Sequence, residues 1–340
     1  ELIKPSTTGM GAGYAFRHPL IQEVAYAMQL RPRGTPLHAA VADAIETFPW
    51  GRLDESASLL AYHYEAAGRP LVAATHLERA ALWIGRTNSS RAFADWKKLR
   101  LLLRDQPRSE SNDRLRALAS VQILNFGWRE GMAADEAKPY AEEALAHVRE
   151  MSDRRHEPLL LVAYGRIVAA SGAFDDAIKL ICDALALADA NADAGGIILY
   201  SGVLSQIYSL AGLLHEALAR NDTALEAITA ESQPQGGSVI GINATQFAGF
   251  DVEHWISCQR TKILALLGRF DEAEALLARV CQVEPGRIAP VIQFIPHACG
   301  VDLAWQRGDI GAARWHSRQV ADYAEQSAMP YLKVVALGCR

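Results

Sequence analysis

One spacing of small residues recurs along this chain, and it restricts the possible folds more than any other feature. The segments YGRIVAASGAFDDAIKLICDA (164–184), LSQIYSLAGLLHEALARNDTA (204–224) and LAYHYEAAGRPLVAATHLERA (60–80) align without a gap. Each carries a large apolar residue, then a small one, an apolar residue three positions on, Gly four beyond it, Ala five beyond the Gly, and Ala again seven later. The first set is Tyr164, Gly165, Val168, Gly172, Ala177 and Ala184. The second is Leu204, Ser205, Tyr208, Gly212, Ala217 and Ala224, and the third is Leu60, Ala61, Tyr64, Gly68, Ala73 and Ala80. Weaker copies centre on Gly268, with Ala273, Leu277, Val280 and a closing Pro285, and on Gly308, with Ala313 and Val320.

The spacing has a physical reading. Gly ends a first helix, because the left-handed conformation costs it nothing. Small residues on both sides let a second helix fold back closely. That second helix is amphipathic: Phe174, Ala177, Ile178, Ile181, Cys182, Leu185 and Ala188 form one stripe, with Asp175, Asp176, Lys179 and Asp183 facing away. One hairpin cannot bury such a stripe alone, whereas a stack can. The expected fold is all-α: a superhelical solenoid of helical hairpins with a concave face and a repeat near 40 residues, preceded by a short strand-like stump.

The turn glycines at 172, 212, 268 and 308 are spaced by 40, 56 and 40 residues. The extra 16 fall in SQPQGGSVIGINATQFAGF (232–250), which holds no charged residue. A long, uncharged, Gly-rich insertion is a candidate ligand loop, with Gly236, Gly237, Asn243, Gln246 and Phe247 its candidate residues. The alternative is a connector packed against the groove. Between 89 and 151 the repeat is blurred, although SSRAFADWKKLRLLL and EAKPYAEEALAHVRE both read as amphipathic helices. Pro107 and RSESN suggest a soft boundary near residue 110, giving a joint over 1–50, first helical repeats over 51–110 and the main array over 111–340. Pro330 opens a last helix with no partner, so Leu332, Val334, Val335 and Leu337 are expected to be exposed, as if the array were cut inside a repeat.

Composition narrows the chemistry. Half the residues are hydrophobic, enough for a large core, and the net charge is -5. Residues 1–110 carry 14 basic and 11 acidic side chains and the remainder 20 and 28, so neither part is basic enough to grip nucleic acid. Lys97, Lys98, Arg100, Arg104 and Arg108 read as the solvated face of one helix. Residues 194–215 lack charge and are long enough to span a membrane, but Ser201, Ser205, Gln206, Ser209 and four glycines favour a buried helix. The five cysteines form no C-x-x-C pair, which fits reduced thiols in a cytoplasmic protein. There is no phosphate loop, no H-E-x-x-H and no G-x-S-x-G, and the ten histidines are scattered. Asp175 and Asp176 lie on a polar helix face. No catalytic residue, metal site or cofactor is therefore expected in this chain. Trp83, Trp96, Trp128, Trp255, Trp305 and Trp315 fall in helical stretches and are expected mostly in the core, some lining the groove.

The repeat over residues 54–340 resembles the tetratricopeptide family, in the 40-residue form of large bacterial regulators. YAFRHPLIQEVAYAMQLRPRGTPLHAAVADAIE, followed by LLAYHYEAAGRPLVAATHLERAA, is similar to the joint between a winged helix and such repeats in multidomain signalling ATPases. With WIGRTNSSRAFADWKKLRLLL and NFGWREGM, the nearest resemblance is to the tail of bacterial class III adenylate/guanylate cyclases carrying an AAA/STAND-type ATPase domain. That resemblance implies a regulatory arm that binds a protein, peptide or small ligand in its groove. It also implies upstream ATPase and cyclase domains that use ATP and a divalent metal. His18 matches the family's nucleotide-sensing His by position, with Pro19 where an Asp often stands. Two alternatives remain: the sensor arm of a LuxR/MalT-type transcription activator, and a free-standing scaffold for acidic peptide tails, to which Arg220 and Asn221 would contribute.

Overall fold

The computed structural model describes residues 2–8, 11–28, 31–47, 53–85, 87–151, 155–231, 251–282, 290–326 and 330–339. The candidate loop residues Gly236, Gly237, Asn243, Gln246 and Phe247 lie outside them, as does Pro285. The chain forms two compact units, Glu1–Leu77 and Glu78–Arg340.

The first unit opens with an antiparallel hairpin of β1 (Ile3–Thr8) and β2 (Gly11–Phe16), Ile3 opposite Phe16 and Thr8 opposite Gly11. Tyr14 to Phe16 thus end a second strand. Helices α1 (Pro19–Ala27), α2 (Arg31–Thr47) and α3 (Leu53–Ala66) follow, and α4 (Pro70–Ile84) begins in this unit. Ala57, Leu60, Ala61, Tyr64, Ala73 and Leu77 are its buried apolar residues around the Gly68 turn.

The second unit continues with α5 (Ser89–Leu103), α6 (Glu110–Gly127), α7 (Ala134–Glu150), α8 (His156–Ala170), α9 (Phe174–Ala190), α10 (Ala194–Leu210) and α11 (Leu214–Glu231). After the undescribed stretch come α12 (Val252–Leu266), α13 (Phe270–Cys281), the short α14 (Pro290–Gln293), α15 (Ile295–Arg307), α16 (Ile310–Gln326) and α17 (Pro330–Gly338). The hairpins are α8–α9, α10–α11, α12–α13 and α15–α16. Their turn glycines 172, 212, 268 and 308 all have positive φ, between 73° and 87°. Ala177, Ala217 and Ala273 are fully buried where the paired helices meet. Ser205, on the facing small-residue position, donates its hydroxyl to Ala217 O at 2.8 Å.

The stretch that looks blurred in the sequence holds a further hairpin, α6–α7. Its turn glycine is Gly131, with φ 78°, 41 residues before Gly172. The turn is one residue longer, so the buried alanines are Ala137 and Ala144 rather than 136 and 143. That single insertion hides the register.

First helices stack on first helices: α6 on α8, α8 on α10, α10 on α12 and α12 on α15. The second helices α7, α9, α11, α13 and α16 form the other layer. Helix α10 lies between neighbours and is buried almost all round, which explains its lack of charge. Among the described residues no helix is long and apolar enough to cross a membrane. Asn221, fully buried on α11, donates to Ile256 O at 3.0 Å, so α12 is tied to α11 on either side of the long insertion.

Two expectations need correction. Helix α17 is not bare: Leu332 and Ala336 are buried against Phe294, Val320 and Ala324, with Val335 partly covered. Of the four apolar residues expected to be exposed, Val334 and Leu337 stand in solvent, each 66 % exposed. The tryptophans are split: Trp96 and Trp255 are buried, whereas Trp83, Trp305 and Trp315 are exposed. Alanine and leucine already fill the close helix contacts, leaving these rings outside.

A candidate binding groove on the first-helix layer

The first-helix layer carries a cavity of about 270 Å³. Its wall is built by repetition. The residue six positions before each turn glycine is Arg166 on α8, Gln206 on α10, Lys262 on α12 and Asp302 on α15, and all four line the cavity. Helical periodicity adds neighbours on the same stripe: Trp255 and Gln259 lie seven and three residues before Lys262, and Ile295 and Cys299 occupy the same places before Asp302. The wall thus mixes apolar and aromatic residues with a polar rung at the equivalent position of each of these four first helices.

Contacts across the layer hold the rungs. Lys262 Nζ pairs with Asp302 Oδ2 at 2.9 Å, bridging α12 and α15. The Arg166 guanidinium lies 4.1 Å above the Trp128 ring centre, and that of Arg129 lies 5.5 Å away. This stacking gives the α6–α8 end of the groove a positive pole. With its amide set to satisfy both partners, Gln259 accepts from Trp255 Nε1 at 3.1 Å and donates to Gly202 O at 3.3 Å. Gly202 is required there, since a Cβ would come within 2.9 Å of Trp255 Cζ3.

The thiols beneath the groove are structural. Cys299 Sγ donates to Cys258 O at 3.2 Å. Burial pushes the Cys299 thiol up to about 12 and that of Cys258 well above its ordinary value, so both stay protonated and poorly nucleophilic. Among the described residues no group of three or more His, Cys, Asp or Glu could hold a metal ion. The arrangement suits recognition of an extended or partly aromatic ligand.

His18 lies in the first unit, exposed, at the start of α1, where its Nδ1 accepts the Leu20 N–H at 3.3 Å. Arg220 and Asn221 do not form a groove clamp. Both belong to α11 in the second-helix layer. Asn221 is committed to Ile256 O and accepts from Arg260 Nη1 at 3.3 Å. Arg220 lines a separate depression with Cys182 and Asp189. The four rungs were missed in the sequence, yet a signal was there: a polar residue stands six before each of the turn glycines 172, 212, 268 and 308.

No protein-family model matches the chain, and no curated protein matches its sequence. Solved structures do match. A Signal Transduction ATPase with Numerous Domains (STAND) protein with a tetratricopeptide repeat sensor, from Pyrococcus horikoshii, aligns with a TM-score of 0.51. That alignment covers 98 % of this chain and 44 % of that one at 13 % identity. A Rap protein complexed with Competence and Sporulation Factor gives 0.49 over 92 % and 83 % of the two chains at 12 % identity. BtubC from P. vanneervenii gives 0.48 over 74 % and 91 % at 15 % identity. At such identities the likeness is one of fold, and the fold is a tetratricopeptide-like α-α solenoid.

Proposed function

We propose that this chain is a non-catalytic binding arm whose first-helix groove takes a protein or peptide segment. The observation that carries this reading is the ladder Arg166, Gln206, Lys262 and Asp302 along one aromatic-walled cavity. Repeated, evenly spaced polar rungs suit a ligand that is itself extended, because each hairpin then meets the next stretch of it. In finer terms the chain is the sensor arm of a cytoplasmic signalling protein, with the class III cyclase carrying a STAND-type ATPase as first choice of parent. The joint-like sequence from Tyr14 to Glu46 supports this, and so does the fold likeness to a STAND protein with a repeat sensor. His18 would then report on nucleotide bound by the ATPase domain.

A LuxR/MalT-type transcription activator is the second reading, favoured by the same joint. The coding sequence on either side of this chain separates the two. Cyclase and phosphate-loop domains upstream of Glu1 support the first reading. A helix-turn-helix downstream of Arg340 with no cyclase upstream replaces it with the second. In either case the purified chain is expected to neither hydrolyse ATP nor make cyclic AMP, and measurable turnover would overturn the non-catalytic reading.

A further inference from the structure

A second and larger cavity, of about 960 Å³, opens between α5, α6 and α7. The basic run that reads as a solvated helix face stays largely exposed and borders this cleft. Lys97, Lys98, Arg100, Arg104 and Arg108 all line the cleft, and Arg116 joins them from α6. Glu143 and Glu150 of α7 are the carboxylates among the lining residues, which leaves a formal excess of four positive charges. Lys97, Arg100 and Arg104 fall on one face of α5 by helical spacing. The floor includes the apolar Ala117, Ile123 and Ala144.

Part of this charge is structural. Arg116 donates to Leu103 O at 2.6 Å, to Gln106 O at 2.7 Å and to Asp113 Oδ1 at 2.7 Å, pinning the α5–α6 turn. Arg108 donates to Asp113 Oδ2 at 3.0 Å. Burial pushes the Asp113 carboxyl up, but the hydrogen bonds and charge of Arg108 and Arg116, with His147 nearby, outweigh it and hold it below the usual range. Asp113 therefore offsets the charge of Arg108 and Arg116.

The outer cations are held loosely. Lys97 Nζ sits 4.8 Å from the Phe93 ring centre and forms no ion pair among the described residues. Among the described residues Arg104 pairs with the adjacent Asp105 alone, at 3.6 Å, with both side chains in solvent. Arg100 lies 4.8 Å from the Tyr140 ring centre and pairs with Glu143, whose side chain is 72 % exposed. Exposed pairs of this kind are weak and exchange readily. Deeper in the wall, His147 Nε2 is buried with no hydrogen-bond partner among the described residues, and the Asp113 Oδ1 carboxylate lies 3.5 Å away. The cleft thus gathers weakly committed guanidinium and ammonium groups, an aromatic face and an unsatisfied imidazole nitrogen in a space of small-ligand size.

We propose that this cleft binds a small phosphorylated anion, its phosphates held by Lys97, Arg100 and Arg104 and its body resting against Tyr140. Guanidinium forks match phosphate oxygens, and an incoming phosphate displaces Glu143 from Arg100 at little cost. The cations converge on one cavity rather than track along a surface, and the chain is acidic overall, so nucleic acid is the poorer fit. This site is separate from the groove and does not depend on it.

The test is calorimetric titration of the 340-residue chain with sodium tripolyphosphate at fixed ionic strength. One molecule should bind per chain. Lys97→Glu and Arg104→Glu, both at exposed positions, should each weaken binding by about tenfold or more while thermal melting stays unchanged. Glu143→Gln should tighten it severalfold by releasing Arg100, which a purely structural cluster would not do. Arg314→Glu, on the distant α16, should leave it unaltered. Equal losses at Arg314 and Lys97, or no loss at Lys97, would overturn the assignment. So would tighter binding of an oligo-glutamate peptide than of tripolyphosphate, which would mark the cleft as a protein-docking face.

Discussion

Helices α5 to α7 and the hairpins from α8 to α16 are built from similar amphipathic material but held by different forces. The later hairpins meet through glycine and alanine: Ala177, Ala217 and Ala273 are fully buried, and Gly202 lets Trp255 lie against α10. The α5–α7 segment instead relies on buried carboxylates, chiefly Asp113, which serves Arg108, Arg116 and His147, with Asp95 buried beside Arg91. Close apolar contact tolerates little change of volume, whereas a charge hub tolerates little change of charge. The difference leaves an aromatic-walled groove with a few charged rungs in one region and a cleft crowded with cations in the other.

Substitutions should separate the two. Asp113→Ala strips a shared partner from two arginines, and we expect a loss of about 3 kcal/mol in urea unfolding, reduced from the fully buried case because Arg108 is partly solvated. Asp113→Leu should do no better, since it is the unpaired cations that cost. A loss under about 0.5 kcal/mol would mean the hub is dispensable. Gly202→Val should cost about 2 kcal/mol by forcing Trp255 and Ile256 outward, and it should also reshape the groove. Free accommodation there would show that α10 and α12 are not in tight contact. Asn221→Ala leaves Ile256 O buried and unpaired, for which we expect about 1–2 kcal/mol. In hydrogen exchange the loss should appear first in α12.

Acid should sharpen the contrast further. His316 is buried beside His297, their Nδ1 atoms 3.1 Å apart, and burial followed by the neighbouring imidazole lowers its pKa from 6.5 to about 4. Because the folded value is the lower one, the unfolded chain takes up the proton first. Stability from neutral His316 is complete above 6.5 and is lost as the pH falls toward about 4. Asp113 is also depressed, but from a carboxylate value, so its contribution persists until the pH drops below the ordinary carboxylate range. Exchange corrected for intrinsic rate should therefore rise in α15–α16 at mildly acidic pH before it rises in α6–α7. His316→Gln should abolish that early phase. The reverse order would contradict the stated burial of His316.

The same two regions show what a sequence of this kind makes legible. The regular hairpins were readable because glycine needs a positive φ at each turn and alanine a close contact, and both leave a periodic mark. One extra residue after Gly131 erased that mark for α6–α7, although the physics there is unchanged. The groove rungs were readable in principle as polar residues six before each glycine. That the exposed α5 basic face borders a cleft was not, because charge spacing along one helix does not say which neighbour lies beside it. Nor does sequence reveal that Leu332 and Ala336 find a pocket beside Phe294. Arg220 and Asn221 show the opposite hazard: residue types suited to a clamp sit on the layer that does not face the groove.

The most direct test of the central claim is to select peptide ligands by display on the purified chain and measure their affinity for two charge-reversed variants. Arg166→Glu inverts a groove rung, while Arg220→Glu inverts an equally basic position on the other layer. The account predicts a loss of about tenfold or more for Arg166→Glu and none for Arg220→Glu. Ligands that ignore Arg166→Glu, or that depend on Arg220 instead, would contradict the assignment of the first-helix groove as the binding surface.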